Sequence, residues 1–159
     1  MAVDSLAQRR ILGHFATGVT VVTAYQHDEI HGMTANAVAS LSLHPPLILA
    51  AVDKSAAMHA TLTRSRCFAL NILTQDQEHL SRRFAMRGIK EVNDLTWIKA
   101  VSGAPILADA LAWVDCRVTD ILPGGDHDIF IGEILAGDCR DGAPLLYFRG
   151  KYRRLTSDD

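Results

Sequence analysis

Two β-like runs joined by a glycine turn restrict this chain more than any other feature. WVDCRVTDIL (113–122) sets Val114, Cys116 and Val118 on one face and Asp115, Arg117 and Thr119 on the other, the alternation of a half-buried strand. PGGD (123–126) then turns into a partner from about 128 to 136, and so tight a connection makes the pair antiparallel.

Similar runs recur at short spacing. GVTVVTAY (18–25) is β-branched and ends at polar QHDE; further strands are predicted near 30–34, 37–42, 47–52 (LILAAV), 67–73 (CFALNIL), 145–148 and 152–155. His44-Pro45-Pro46 interrupts pairing before LILAAV. Helical spacing is confined to three segments. Residues 4–13 carry Leu6, Arg10 and Ile11 on a partly apolar face. AAMHATLTR follows Asp53-Lys54-Ser55, with Ser55 placed as N-cap. Residues 75–86 follow the T-x-x-Q of a capping box at Thr74–Gln77, with Leu80 and Phe84 directed inward. Residues 87–105 lack period and read as a loop with short elements. Many strands and few helices predict an antiparallel barrel or sandwich, not a βαβ sheet.

At 159 residues, with 48% hydrophobic and 21% charged side chains, the chain suits one globular domain spanning 1–159. A net charge of −2 gives no reason to expect nucleic acid or an anionic membrane as partner. Cys67, Cys116 and Cys139 are odd in number and far apart, without zinc spacing. They read as idle reduced thiols, which fits a cytoplasmic protein. MAVDSLAQRRILGHFATG carries Asp4 and no long apolar stretch, unlike a signal peptide. No run reaches the roughly 20 apolar residues of a membrane helix.

The sequence lacks GxGxxG, GxxxxGK[ST], HExxH and GxSxG, so Rossmann binding, P-loop chemistry, zinc proteolysis and α/β-hydrolase catalysis lose support. GMTANAVASLSLHPP (32–46) is unusual in another way, being almost wholly small from Thr34 to Ser42. Small side chains let a flat ligand or a second backbone approach the main chain. Thr34, Asn36, Ser40 and Ser42 add short polar groups. Ser55, at a helix start beside Lys54, would favour an anion such as phosphate. The same stretch suits close packing of two strands, or of a dimer interface, equally well.

GVTVVTA, GMTANAVASLSLHPPLILAAVDKSA, FALNIL, SRRFA, GDHDIFIGEI and PLLYFRGKYRRL, in that order from about residue 10 to 155, resemble the short-chain flavin reductases. These are the FMN-binding split-barrel reductase components of two-component monooxygenases. The resemblance implies a homodimeric antiparallel split β-barrel of Greek-key type with a few short helices. It implies reduction of FMN or FAD by NADH or NADPH and delivery of reduced flavin to a separate flavin-dependent monooxygenase. It places Thr34, Ala35 and Asn36 along the flavin ring and ribityl chain with Ser40 close by, and Ala51, Val52, Asp53, Lys54 and Ser55 toward the phosphate. Ser81, Arg82 and Phe84 match a second phosphate-side segment, and His127 matches a histidine on the nicotinamide side. Tyr152, with Tyr147 and Arg153, matches a C-terminal pattern near the cofactor. Such chemistry is carried by the rings, so no nucleophile is needed.

Some of these positions have ordinary readings too. Glu78 lies four residues before Arg82, the spacing of a surface ion pair. Tyr147, Trp97 and Trp113 suit core packing, and His14, His27, His31, His44, His59 and His79 show no paired partner. Two rivals to a reductase remain: a flavin-binding barrel that stores or senses, and a dimeric β-barrel without flavin.

Overall fold

Every strand pair among the described residues, 3–156 of this computed structural model, is antiparallel. Helix α1 (Ser5–Leu12) leads into β1 (Thr17–Gly18), β2 (Thr20–Gln26), β3 (Glu29–Ala35), β4 (Val38–Leu43) and β5 (Pro46–Asp53). Helix α2 (Ala57–Ser65), β6 (Cys67–Ile72) and α3 (Glu78–Ala85) follow. The chain closes with β7 (Trp97–Lys99), β8 (Pro105–Leu107), β9 (Ala112–Gly124), β10 (His127–Cys139), β11 (Leu146–Phe148) and β12 (Lys151–Arg153). The described residues are thus mainly β with three short helices.

A seven-stranded sheet in the order β3-β2-β6-β9-β10-β5-β4 forms the body. Its edge strands β3 and β4 are neighbours in the chain, linked only by Asn36 and Ala37. A flat sheet would hold those edges roughly 29 Å apart at about 4.8 Å per strand. From Ala35 to Val38 the chain reaches only about 11 Å, so the sheet curls and its edges approach one another. Bulges near Ile131 and Ala136 in the β9–β10 ribbon supply local bending.

Strand β2 is buried on both sides, and its alternation sorts residues into two cores. Val22 and Ala24 join Val52, Leu62, Phe68, Cys116 and Phe130 in one; Val19 and Val21 join Leu73, Leu80, Phe84 and Leu145 in the other. The expected Leu80 and Phe84 pair is buried. Trp97 packs edge-on against Phe84, and Trp113 packs beside Ala69 and Ile106.

Three local expectations need correction. Ser55 does not cap α2: Ala56 holds that position without a side-chain bond. Ser55 lies outside the helix because Asp53 draws both its amide and its hydroxyl back. Helix α3 begins at Glu78, three residues later than predicted, with Gln77 as cap. Only one half of the capping box forms, the Thr74 amide donating to Gln77 Oε1 at 2.9 Å. Asp115, assigned to a polar outer face, is completely buried. The turn around 100–103 covers it, and Ser102 donates to its carboxylate through both amide and hydroxyl. Helix α1 buries no residue; Leu6 and Ile11 are exposed.

Candidate flavin site

Strand β3 and helix α3 both line a cavity of about 1250 Å³. The two elements approach closely because β3 has no side chain at Gly32, where a Cβ would stand 2.5 Å from the Phe84 ring. Thr34 then ties them, its hydroxyl donating to the Ser81 carbonyl at 2.6 Å. Beyond this seam the small residues open out. Thr34 and Ala35 are half-buried and Asn36 is exposed, so that stretch is not sealed by packing within the chain. All three line the cavity.

Asp53, Ser55, Ser81, Phe84 and Tyr152 line the same space. Four separate segments therefore converge: the end of β3, the β5–α2 link, α3 and β12. Ser81 is fully buried and its hydroxyl shares a 2.7 Å hydrogen bond with the Tyr152 hydroxyl. Ser55 donates to one Asp53 oxygen from its amide and from Oγ, both at 2.7 Å. Those two bonds hold the Asp53 carboxyl below its ordinary range, with smaller help from the His127 and Arg87 charges. The place assigned to phosphate thus already holds an internal anion.

The remaining assigned residues lie elsewhere. Val52 is fully buried in the first core, and Ala51 and Ser40 are not among the cavity-lining residues. Lys54 turns to the β9–β10 hairpin, donating from Nζ to the Gly125 carbonyl at 2.7 Å. Arg82 forms the ordinary pair that its spacing allows: Nε and Nη2 both donate to Glu78 Oε1, at 2.9 and 2.7 Å. Its guanidinium also lies 4.9 Å from the Tyr152 ring centre. His127 stands outside the lining, directly across the ladder from Asp53, and its Nδ1–H donates to Asp126.

The structure adds residues that spacing did not reveal. The β2–β3 hairpin contributes Tyr25, Glu29 and His31, and the 86–93 segment adds Arg87 and Lys90 to the lining. Burial lowers the pKa of the Lys90 ammonium. Tyr147, read as packing, does both: it packs on the second core, meets Tyr152 edge-on and lines the cavity. Three histidines read as unpaired have partners. His59 donates to Asp128 at 2.7 Å, His27 accepts from Arg64, and His14 bonds the Arg10 carbonyl. The resemblance had already set Tyr147 near the cofactor; the hairpin and 86–93 residues and the His59 and His27 partners could not be read from sequence, since each depends on contacts made by folding or on a loop without period.

Residues 12–156 match the family model described as "Flavin reductase like domain". An NADH-dependent FAD reductase of Streptomyces globisporus is 40% identical, covering 98% of this chain and 88% of that protein. The reductase component of a Rhodococcus opacus 4-nitrophenol 4-monooxygenase/4-nitrocatechol 2-monooxygenase is 40% identical over 94% of this chain and 80% of its own. Among solved structures, the flavin reductase PheA2 in its native state superposes with a TM-score of 0.91 at 42% identity, covering 97% of this chain and 99% of that one. The Streptomyces globisporus NADH:FAD oxidoreductase SgcE6, in complex with NAD and FAD fragments, gives 0.92 at 39% identity, with 99% and 98% covered. Fold and sequence agree, and the chain belongs to the flavin reductase-like family.

Proposed function

We propose that this protein is an NADH-dependent flavin reductase that passes a hydride to FMN or FAD and supplies reduced flavin to a separate monooxygenase. The observation that carries the reading is the convergence of the Thr34–Asn36 ledge with Ser55, Ser81, Phe84 and Tyr152 on one cavity. At about 1250 Å³ it exceeds the roughly 300–1,000 Å³ of ordinary small-molecule pockets, room that two flat ligands sharing one site require. A storage or sensing protein has no use for the second.

When bound, the flavin supplies the hydride acceptor and the reduced nicotinamide the donor. The chain's part is placement. Thr34 and Ala35 leave the β3 backbone open to a ring face, while Phe84 and Tyr147 exclude water from beneath. Asn36 presents an amide to the polar chain of the ligand. The ring end of a flavin fits these residues directly. At the phosphate end Ser55 serves by exchanging its bond to Asp53 for one to phosphate. His127, with Nδ1 committed to Asp126, keeps Nε2 free to orient the nicotinamide carboxamide.

The curled sheet supports an antiparallel split barrel of Greek-key type, acting as one domain. Exposed Leu41 and Leu43 on β4 and Leu122 on β9 support a homodimer, since apolar patches on sheet surfaces mark association sites. The free thiols of Cys67, Cys116 and Cys139 support a cytoplasmic location. Among the described residues no helix is long and apolar enough to cross a membrane.

A steady-state assay of purified protein with FMN or FAD and NADH or NADPH tests the reading. Rapid NADH consumption that depends on added flavin is expected. Flavin binding without turnover under any of the four combinations leaves a binding protein, and no flavin binding removes the site.

A further inference from the structure

The β9–β10 hairpin carries His127, and the β5–α2 link carries Ser55. The β5–β10 ladder pairs His127 with Asp53, Lys54 bonds the hairpin tip, and one side chain on the hairpin adds a tie to α2. Asp128 follows His127 and points to the opposite side of the ribbon, toward α2. Its carboxylate accepts from His59 Nε2–H at 2.7 Å and lies 3.6 Å from Lys54 Nζ. The Lys54 amide donates to the Asp126 carbonyl at 3.0 Å, and Nζ to Gly125 at 2.7 Å. Asp128 and His59 are only 17% and 21% exposed, so water competes little for the bond. The His59 ring is further fixed edge-on against Phe130, 5.3 Å between centres. His59 first, then Lys54, holds the Asp128 carboxyl below its ordinary range.

We propose that Asp128, through His59 and Lys54, is a positioning residue that fixes the hairpin bearing His127 against the link bearing Ser55. The inference rests on the flavin reductase reading above. Asp128 touches neither ligand; it sets the separation between the nicotinamide side and the phosphate side of the site. A hydride step is sensitive to such placement, because a 1 Å displacement costs on the order of 100-fold.

Amide hydrogen exchange on ligand-free protein tests the claim directly. In Asp128→Ala, exchange at residues 53–56 and 124–128 is expected to rise about tenfold or more, while β2 and β6 keep their protection. With NADH and flavin, kcat should fall about tenfold while the flavin dissociation constant stays within about threefold. His59→Gln should show the same pattern, and the double variant should be no worse than the poorer single. Asp128→Asn, which keeps an acceptor for His59, should recover part of the lost kcat. Unchanged exchange in those two segments overturns the proposal. So does an equal fall in kcat, flavin affinity and melting temperature, the mark of a general folding role. Absence of NADH consumption by the unaltered protein would instead sink the reductase reading, and the exchange result would stand apart from it.

Discussion

Ser55 and Asp53 form a two-residue device in which a serine donates twice to one carboxylate oxygen. The folded Asp53 pKa is depressed below 3.8, so its contribution is intact at neutral pH and is lost as pH falls through that lowered value. The grip on the 53–55 link should therefore be flat from pH 8 to 5 and weaken only in stronger acid. The Ser55 amide chemical shift, followed by NMR from pH 8 into strong acid, checks this, with Asp53→Asn expected to lack the acid transition. His127 supports a second prediction. Removing its free nitrogen in His127→Ala should lower kcat/KM for NADH roughly 2- to 10-fold, the worth of one hydrogen bond. Flavin affinity measured by fluorescence quenching should change less. Equal losses would place His127 in the fold instead of the reaction.

Glycines separate the site from the core among the secondary elements. At Gly32 an added Cβ would stand 2.5 Å from the buried Phe84 ring. Gly32→Ala should push α3 from β3, cost about 1–3 kcal/mol and weaken flavin binding, because Phe84 and Ser81 line the cavity. At Gly132 a Cβ would meet Phe68 at 2.8 Å and Cys116 at 2.9 Å, deep in the first core and away from the cavity. Gly132→Ala should cost a similar 1–3 kcal/mol but leave the flavin dissociation constant unchanged in the folded fraction. Denaturant unfolding alongside flavin titration compares the two. The Cys116 thiol at that contact is pushed up to about 12 by burial, with Asp115 adding to the effect, so it should resist thiol reagents in the native protein.

At the level of the whole molecule, β4 is a sheet edge with Leu43 77% exposed. A bare apolar edge invites association, and the proposed homodimer would cover it. Sedimentation equilibrium should give a dimer, and Leu41→Glu with Leu43→Glu should shift it toward monomer. A monomeric unaltered protein would contradict the proposed assembly.

Strand identity was legible because alternation and β-branching are local: β2, β5, β6, β9 and β10 all follow patterns visible in the sequence. The cavity ledge at Thr34–Asn36 was legible for the same reason, small side chains being conspicuous where strand residues are usually bulky. The start of α1 was legible within a residue, but the cap of α2 was not, because Ser55 chose Asp53 over the helix, a competition between two nearby partners that spacing does not rank. Arg82 and Glu78 paired as their spacing permits, and the resemblance alone had suggested otherwise. Asp115, Arg87 and the His59–Asp128 pair were decided by tertiary structure only. Each acquires its environment from a residue more than ten positions away or from a loop with no period. The sequence by itself determined which segments are strands and where the chain runs bare. The folded chain decided what those segments face, because burial and long-range hydrogen bonds exist only once the sheet has curled.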